Sequence, residues 1–313
     1  MGLQHQPYLP ATQWQLEFSY QYVNTDEFYV GTQRNDAAGP HGQPPHRVVS
    51  LLNVDALYGL TDRFSVDLTI PFLTGTAQYL QGPAASPLPY HFAQSGLGDV
   101  SIQAEYWLRD PARSSRFDGS VSLGLKAPTG NYRATALQYS PQSQGDVEQP
   151  LDEAVQLGNG GWEILLRAQG TASVGGPFFG YGSAYYGLSL SEHANVLNSG
   201  ALRGVPDTYS ARLGAAYLLR RVAGLVLSAG GRINGVTVRD VIGGGDLYWR
   251  RPGYEVYFEP GATWTWGRNM VSASVPLRVH QKKEDSLLDE SLHRHVGADF
   301  APYLLVASYA RRF

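Results

Sequence analysis

Apolar and polar residues alternate one for one through much of this 313-residue chain, and few folds tolerate that period. In the stretch 48–72, Leu52, Val54, Ala56 and Tyr58 hold even positions, with Asn53 and Asp55 between them. After Gly59-Leu60-Thr61-Asp62 the even positions resume as Phe64, Val66, Leu68, Ile70 and Phe72, interleaved with Arg63, Ser65, Asp67 and Thr69. Side chains along a strand point to opposite faces in turn, so each run has one greasy face and one polar face. A Gly/Asp turn between the two runs makes an antiparallel hairpin. A soluble sandwich could use the same hairpin with its polar face to water. What favours a membrane barrel is recurrence: about a dozen such runs, joined by short and long connections in alternation.

Tested on other classes, the composition excludes several. No run approaches the roughly 18 apolar residues of a transmembrane helix, and mean hydropathy is −0.25. A barrel is compatible with both, because lumen-facing polar residues dilute each lipid-facing strand. The formal net charge of −3 gives no support for a nucleic-acid partner. With no cysteine the chain has neither disulfides nor thiolate metal sites. Met1-Gly2-Leu3-Gln4 lacks a basic segment followed by an apolar one, so an exported form is expected to have lost or replaced its signal peptide.

Strand one is predicted from Thr12 to Val23, with Trp14, Leu16, Phe18, Tyr20 and Tyr22 on one face and Gln13, Gln15, Glu17, Ser19 and Gln21 on the other. A long connection, Asn24 to His46, leads to the opening hairpin, strands two and three. Leu73 to Leu97 is predicted as a second long connection. Strand four follows, Gly98 to Arg109, with Asp99, Ser101, Gln103, Glu105 and Trp107 inward. Asp110 to Asp118 is a turn into strand five, and Pro128 to Gly160 is the longest connection. Strands six and seven (Gly161 to Val174, Phe178 to Leu190), eight and nine (Asp207 to Leu219, Leu225 to Val238), and ten and eleven (Tyr254 to Trp266, Met270 to His280) form three further hairpins. The last strand ends at Phe313.

The result is twelve strands with short turns at one rim and long loops at the other. An even count of antiparallel strands of about ten residues describes a barrel of the bacterial outer membrane. The expected fold class is therefore an all-β, up-and-down transmembrane barrel forming one domain, 1–313, with residues 1–11 as a short periplasmic segment. Trp14, Tyr58, Phe64, Trp264 and Trp266 fall near the short-turn rim, where an interfacial aromatic girdle is expected.

Three segments, Tyr58 to Phe72, Gly96-Leu-Gly-Asp-Val-Ser-Ile-Gln-Ala-Glu-Tyr-Trp107 and Leu123-Gly-Leu-Lys-Ala-Pro-Thr-Gly130, resemble the phenol-degradation meta-pathway (MetA-pathway) outer-membrane transporters. The match is strongest over about the first 130 residues and architectural afterwards. It implies a barrel that admits small organic compounds, often aromatic. The terminal Phe313, with Tyr309, Leu305 and Tyr303 at alternate positions, resembles the signal read by the barrel-assembly machinery. Arg311 departs from that pattern, which usually has an apolar residue there.

Candidate lumen residues are unevenly distributed. Strands one to four offer Glu17, Asp55, Asp67 and Glu105, with Arg63 near the turn. Lys126 lies on strand five, and Arg167, Arg212, Arg232 and Arg278 lie on strands six, eight, nine and eleven. Glu163, Glu255 and Glu259 interrupt the separation. One reading is a polar constriction with a transverse field; the other is that these side chains pair across a narrow lumen and fill it. Eight-stranded barrels are filled and those of 16 to 18 strands hold a water channel, so twelve falls between. Asp55 and Asp67 are expected as cross-strand neighbours on the lumen face, which demands an intervening cation, an Arg or a proton.

No cofactor, metal site or catalytic residue is expected. His41, His46, His293 and His295 sit in polar loops and read as solvated. No HExxH, phosphate-cradling loop or nucleophile elbow occurs. Besides a passive channel for small organic solutes, apolar or aromatic, two alternatives remain: a structural or adhesive barrel with a filled lumen, and a lipid hydrolase like the twelve-stranded outer-membrane phospholipase A. Against the hydrolase, only His280, at a rim, has a Ser partner at strand spacing. Finally, Pro260-Gly261 in strand ten, Pro276 in strand eleven and Gly230-Gly231 in strand nine mark a candidate lateral gate, or bulges that curve the sheet.

Overall fold

Strand one begins the sheet and strand twelve closes it. In the computed structural model, Trp14–Thr25 pairs with His46–Thr61 on one side and with Leu304–Arg312 on the other. Hydrogen-bonded pairing continues around twelve antiparallel barrel strands and returns to its start. They are Trp14–Thr25, His46–Thr61, Phe64–Gln81, Leu88–Leu97 continued by Ser101–Trp107, Phe117–Lys126, Glu163–Gly175, Phe178–Ser189, Thr208–Leu218, Leu225–Val236, Gly253–Trp266, Asn269–Ser274 continued by Leu277–Lys283, and Leu304–Arg312. The structure describes residues 8–83, 85–111, 116–198, 200–242 and 247–313. Parts of the predicted leading segment, of the turn after strand four and of the Gly-rich loop before strand ten therefore lie outside the described residues. A closed ladder leaves no strand edge to lipid, and the outer face carries an apolar belt, so this is a bacterial outer-membrane barrel.

The period-two reading sets the faces correctly. Glu17, Asp67 and Glu105 are buried in the lumen, whereas Trp14, Phe18, Leu68, Ile70 and Ile102 are exposed on the outside. The short-turn rim carries the girdle: Trp14 packs on Tyr58 at 4.5 Å and Trp264 on Trp266 at 4.6 Å between ring centroids.

Three sequence expectations change. Strands three and four run past the membrane as a long hairpin, Phe72↔Leu97 to Gln81↔Leu88, where a connection was expected. Proline is admitted there at a strand start and next to a turn, where no ladder donor is required. The opening hairpin turns at Asp62-Arg63, one residue later than expected, with a bulge between Gly59 and Thr61. Asp55 therefore faces Thr69, and Asp67 faces Leu57, so the predicted Asp55–Asp67 pair does not form. Strand ten stays whole through Pro260-Gly261, paired in unbroken register with strand nine. Of the two candidate prolines only Pro276 interrupts its strand, at Val275-Pro276, and even there the Val275 N–H donates to the Pro260 carbonyl at 3.1 Å.

The N-terminal segment also does more than precede strand one. Leu9 is buried, Tyr8 meets Trp107 edge-on at 5.8 Å, and the Thr12 N–H donates to the Gly59 carbonyl at 2.7 Å. Gly59 faces the lumen, and a Cβ there would fall 2.1 Å from the Pro10 carbonyl oxygen. Its missing side chain is what lets the segment tuck under strands two to four.

The face assignment predicts an asymmetric response to charge. Leu68→Lys is expected to lose about 2–4 kcal/mol near the bilayer midplane, while Asp67→Lys keeps its charge in the polar lumen. Yield of heat-modifiable folded barrel in the membrane checks this, and equal yields would mean the faces are inverted.

Candidate functional site

At the outer lip of strands four to six, the sequence segments 96–100, 126–130 and 157–161 meet. The Asp99 carboxylate accepts from the backbone N–H groups of Gly130 (3.0 Å) and Asn159 (3.1 Å) and pairs with Lys126 at 3.3 Å. Lys126 also reaches Glu163 at 2.7 Å. Thr129 Oγ1 donates to the Gly98 carbonyl and accepts from the Val100 N–H, both at 2.9 Å. Strand four has to detour here, because Pro71 on strand three lacks a donor. The Gly98 N–H bonds the Pro71 carbonyl at 2.9 Å instead. Glycine is required at 158, where a Cβ would lie 2.4 Å from Asp99 Oδ1. One buried carboxylate thus ties both ends of the loop 127–162 to the barrel.

Between those ends the loop forms a hairpin, Thr135–Ser140 with Gly145–Pro150, and then turns inward as a single 3-10 turn, Glu153–Val155. Val155 is fully buried among Ala77, Phe92, Ala134 and Leu151, and lies against Gly75, where a Cβ would approach within 3.0 Å. Asp152 precedes the turn and binds Arg47 Nη2 at 2.7 Å and Arg251 Nη2 at 3.1 Å. Arg47 also pairs with Asp299. Burial opposes ionisation of Asp152, but Arg251 and Arg47 outweigh it and hold the carboxyl well below the usual carboxylate range. Its ion pairs are therefore intact at neutral pH and disappear only as pH falls through that depressed value. Burial pushes the neighbouring Glu153 up.

This turn separates two cavities. Outside it is a vestibule of about 610 Å³, lined by Arg47, Trp249, Arg250 and Arg251 among others. Inside is a chamber of about 350 Å³ lined by Ala154 of the turn and by Tyr209, Tyr254, Tyr257 and Phe300. Nearer the short-turn rim lies a third cavity of about 310 Å³, with Phe179, Tyr181, Met270 and small Ala, Ser and Thr residues in its wall.

Between the two lumen chambers stands Glu259. Each of its oxygens accepts from both Arg212 and Arg232, at 2.8–2.9 Å, and Ser274 Oγ adds a bond at 2.7 Å. The four strands carrying these groups, eight to eleven, are adjacent, so the pairing follows one wall of the barrel. Tyr181 lies beside it, 5.8 Å below the Arg212 guanidinium, and occupies the space left by lumen-facing Gly214 and Gly230. A Cβ at Gly230 would sit 2.7 Å from the Tyr181 hydroxyl. Gly231 is exposed on the outer face.

The remaining predicted lumen residues are inside but more dispersed than one constriction ring requires. Glu17 and Asp55 are the like-charged cross-strand neighbours. Asp55 accepts from Thr69 Oγ1 at 2.6 Å, and Arg167 faces this wall without a hydrogen-bond partner for its Nε. Glu105 is held by the neutral donors of Ser120 and Gln169, both at 2.7 Å. Arg278 turns to Glu27 and Tyr29 of the first long loop, and Glu255 lines the upper chamber. Among the described residues no group of three or more His, Cys, Asp or Glu could hold a metal, and His295 pairs with Asp285. Sequence reasoning missed Arg47, Asp152 and Arg251, which sit in loops or at a strand end where periodicity is silent.

No family model matches the sequence, and no curated protein matches it. Among solved structures, the COG4313 outer membrane channel from Pseudomonas putida F1 matches over 100% of both chains, at 17% identity and a TM-score of 0.66. The chain has the fold of an outer-membrane channel. Weaker likenesses are to the P. putida toluene transporter TodX (9% identity, 98% of this chain and 91% of that one, TM-score 0.47) and to a Pseudomonas aeruginosa FadL homologue (9%, 96% and 90%, 0.47).

Removing one partner of a buried ion pair strands the other charge, at about 3–5 kcal/mol. Glu259→Gln, which strands two arginines, is expected to destabilise the folded barrel by that much. Arg212→Gln, which leaves the Glu259–Arg232 pair intact, is expected to cost less. Urea unfolding in detergent or lipid checks the order.

Proposed function

We propose that the protein is a passive outer-membrane channel for small organic solutes, apolar or aromatic. The observation that carries this reading is a lumen with room in it. Two chambers of about 350 and 310 Å³ lie in series below an open vestibule. A barrel serving only as a structural or adhesive element has no use for such space, and side chains fill it in eight-stranded barrels. The chamber walls set tyrosine and phenylalanine faces beside charged groups, Arg47, Arg251 and Glu255 in the upper chamber and Arg212 in the lower, which suits an aromatic ring with a polar substituent. Arg212, Arg232 and Glu259 then narrow the lumen between the chambers, and Glu17, Asp55, Asp67, Glu105 and Arg167, spread along the rest of the wall, extend that charged stretch beyond a single ring. Insertion through the C-terminal strand ending in Phe313 belongs to the same proposal.

An apolar solute crosses a polar lumen poorly, so exit through the wall between strands nine and eleven remains part of the proposal. Its place is Val275-Pro276, where the eleventh strand is interrupted.

In liposomes, the purified protein is expected to accelerate entry of a small uncharged aromatic such as benzyl alcohol. Deleting 133–156 is expected to widen the range of solutes admitted. No acceleration for any solute would favour the structural barrel. Replacing Pro260 and Pro276 with Val is expected to slow apolar solutes while leaving polar ones unchanged; an equal effect on both classes would remove the lateral exit.

A further inference from the structure

Two arginines of the mouth are held by a carboxylate that belongs to the inward turn of the longest loop. We propose that Arg47 and Arg251 form a binding subsite for a carboxylate-bearing aromatic solute, and that Asp152 occupies it in the resting channel. A ligand carboxylate arriving from the vestibule takes the place of Asp152 on the two guanidinium groups, and the turn 152–155 is then released from the chamber below. The inference deepens the uptake reading and rests on it for its physiological sense.

The geometry places the exchange where it would have an effect. Both Arg47 and Arg251 line the outer vestibule and the upper chamber, so they stand in the partition itself. Asp152 is the charged tie of the turn to the wall: its two arginines come from strand two and from the loop before strand ten. Packing supplies the other tie, through Val155. Arg251 keeps part of its side chain exposed and has no second carboxylate partner among the described residues, so it is the arginine a ligand reaches first. Arg47 is buried and retains Asp299 throughout.

Charge balance favours an anion once the turn moves. The cations around the partition are Arg47, Arg203, Arg250, Arg251 and Lys283; the carboxylates are Asp152, Glu153, Asp240, Asp299, Asp289 and Glu255. Asp152 and Glu153 leave together, so five cations then face four carboxylates, and the balance turns from net negative to net positive. Arg203 strengthens the case: it is buried, donates to the Tyr132 carbonyl at 2.8 Å, leaves its Nε without a partner and makes no ion pair among the described residues.

The ligand's class follows from the lining. Two guanidinium groups converging on one carboxylate match a planar monoanion, because each fork offers parallel N–H donors. A larger dianion would also need the place of Asp299. Trp249 lies 4.9 Å from the Arg251 guanidinium, within the vestibule wall, and presents a ring face beside the cation. Below the turn, Tyr209, Tyr254, Tyr257 and Phe300 receive the ring.

Benzoate and benzyl alcohol share a ring and differ in the carboxylate, so they isolate it. Calorimetry on the detergent-solubilised full chain is expected to show benzoate binding and no comparable benzyl alcohol binding. Arg251→Gln should weaken benzoate roughly tenfold, the loss of one charge-assisted hydrogen-bonded partner. Asp152→Asn should tighten it, because the internal competitor has lost its charge. In liposomes, benzoate should speed benzyl alcohol entry through the unaltered channel in a saturable way, and Asp152→Asn should raise that entry without benzoate. Gel mobility of the folded barrel confirms that each variant is assembled. Benzoate affinity that is absent, or unchanged by both substitutions, overturns the subsite. Binding that follows the expected order without any solute entry leaves the subsite standing and overturns the uptake reading instead.

Discussion

The ladder between the first and last strands is the constraint on which the rest depends. From Gln15↔Arg312 to Val23↔Leu304, nine consecutive residue pairs join the chain's two ends. In hydrocarbon an unpaired backbone donor or acceptor has no water to turn to, and each would cost several kcal/mol. A sheet open at that seam would expose a whole row of them. Closure in turn fixes which face of every strand looks inward, since a slip of one residue would invert it. The carboxylates and arginines of the lumen are therefore inside because the backbone must be satisfied.

Once inside, those charges have to find partners in a narrow space, and they do so locally. Glu259 takes two arginines from its own wall, Lys126 bridges Asp99 and Glu163, and Glu105 settles for neutral donors. Local pairing consumes charge at the wall and leaves the centre open in two places, where pairing across the lumen would have filled it. The same economy shapes the loops. Asp99 fastens both ends of the longest one, and Asp152 fastens its inward turn, so the loop is folded against the barrel by buried carboxylates at three of its points of contact.

How much of this was legible in the sequence depended on the length scale of the signal. Alternation within a strand, as at Trp14 to Tyr22 or Phe64 to Phe72, is local, and it gave the faces, the girdle and the barrel. The lumen membership of Glu17, Asp67 and Glu105 followed from the same parity. Partners did not, because a partner depends on register, and register depends on one turn residue. With the turn at Asp62-Arg63, Asp55 faces Thr69 in place of Asp67, and the separate register of strands one and two sets Glu17 on its other side. The segments Gly96 to Asp99 and Lys126 to Gly130 were visible as a resemblance, but that they knot together around Asp99 is a tertiary fact. Least legible was Asp152, one of four acids between 146 and 153 with nothing local to single it out, whose partners lie 105 and 99 residues away.

The loop 127–162 reaches into a closed lumen and divides it. The chain has no cysteine, so a pair can be introduced without background. Ala154 of the inward turn and Asn234 of strand nine both line the upper chamber, although the loop springs from strand five. Cysteines at these two positions, treated with a short bifunctional maleimide in native membranes, are expected to join in the folded barrel and to slow solute entry. A barrel that folds fully yet never joins them would place the loop outside the lumen and contradict the account.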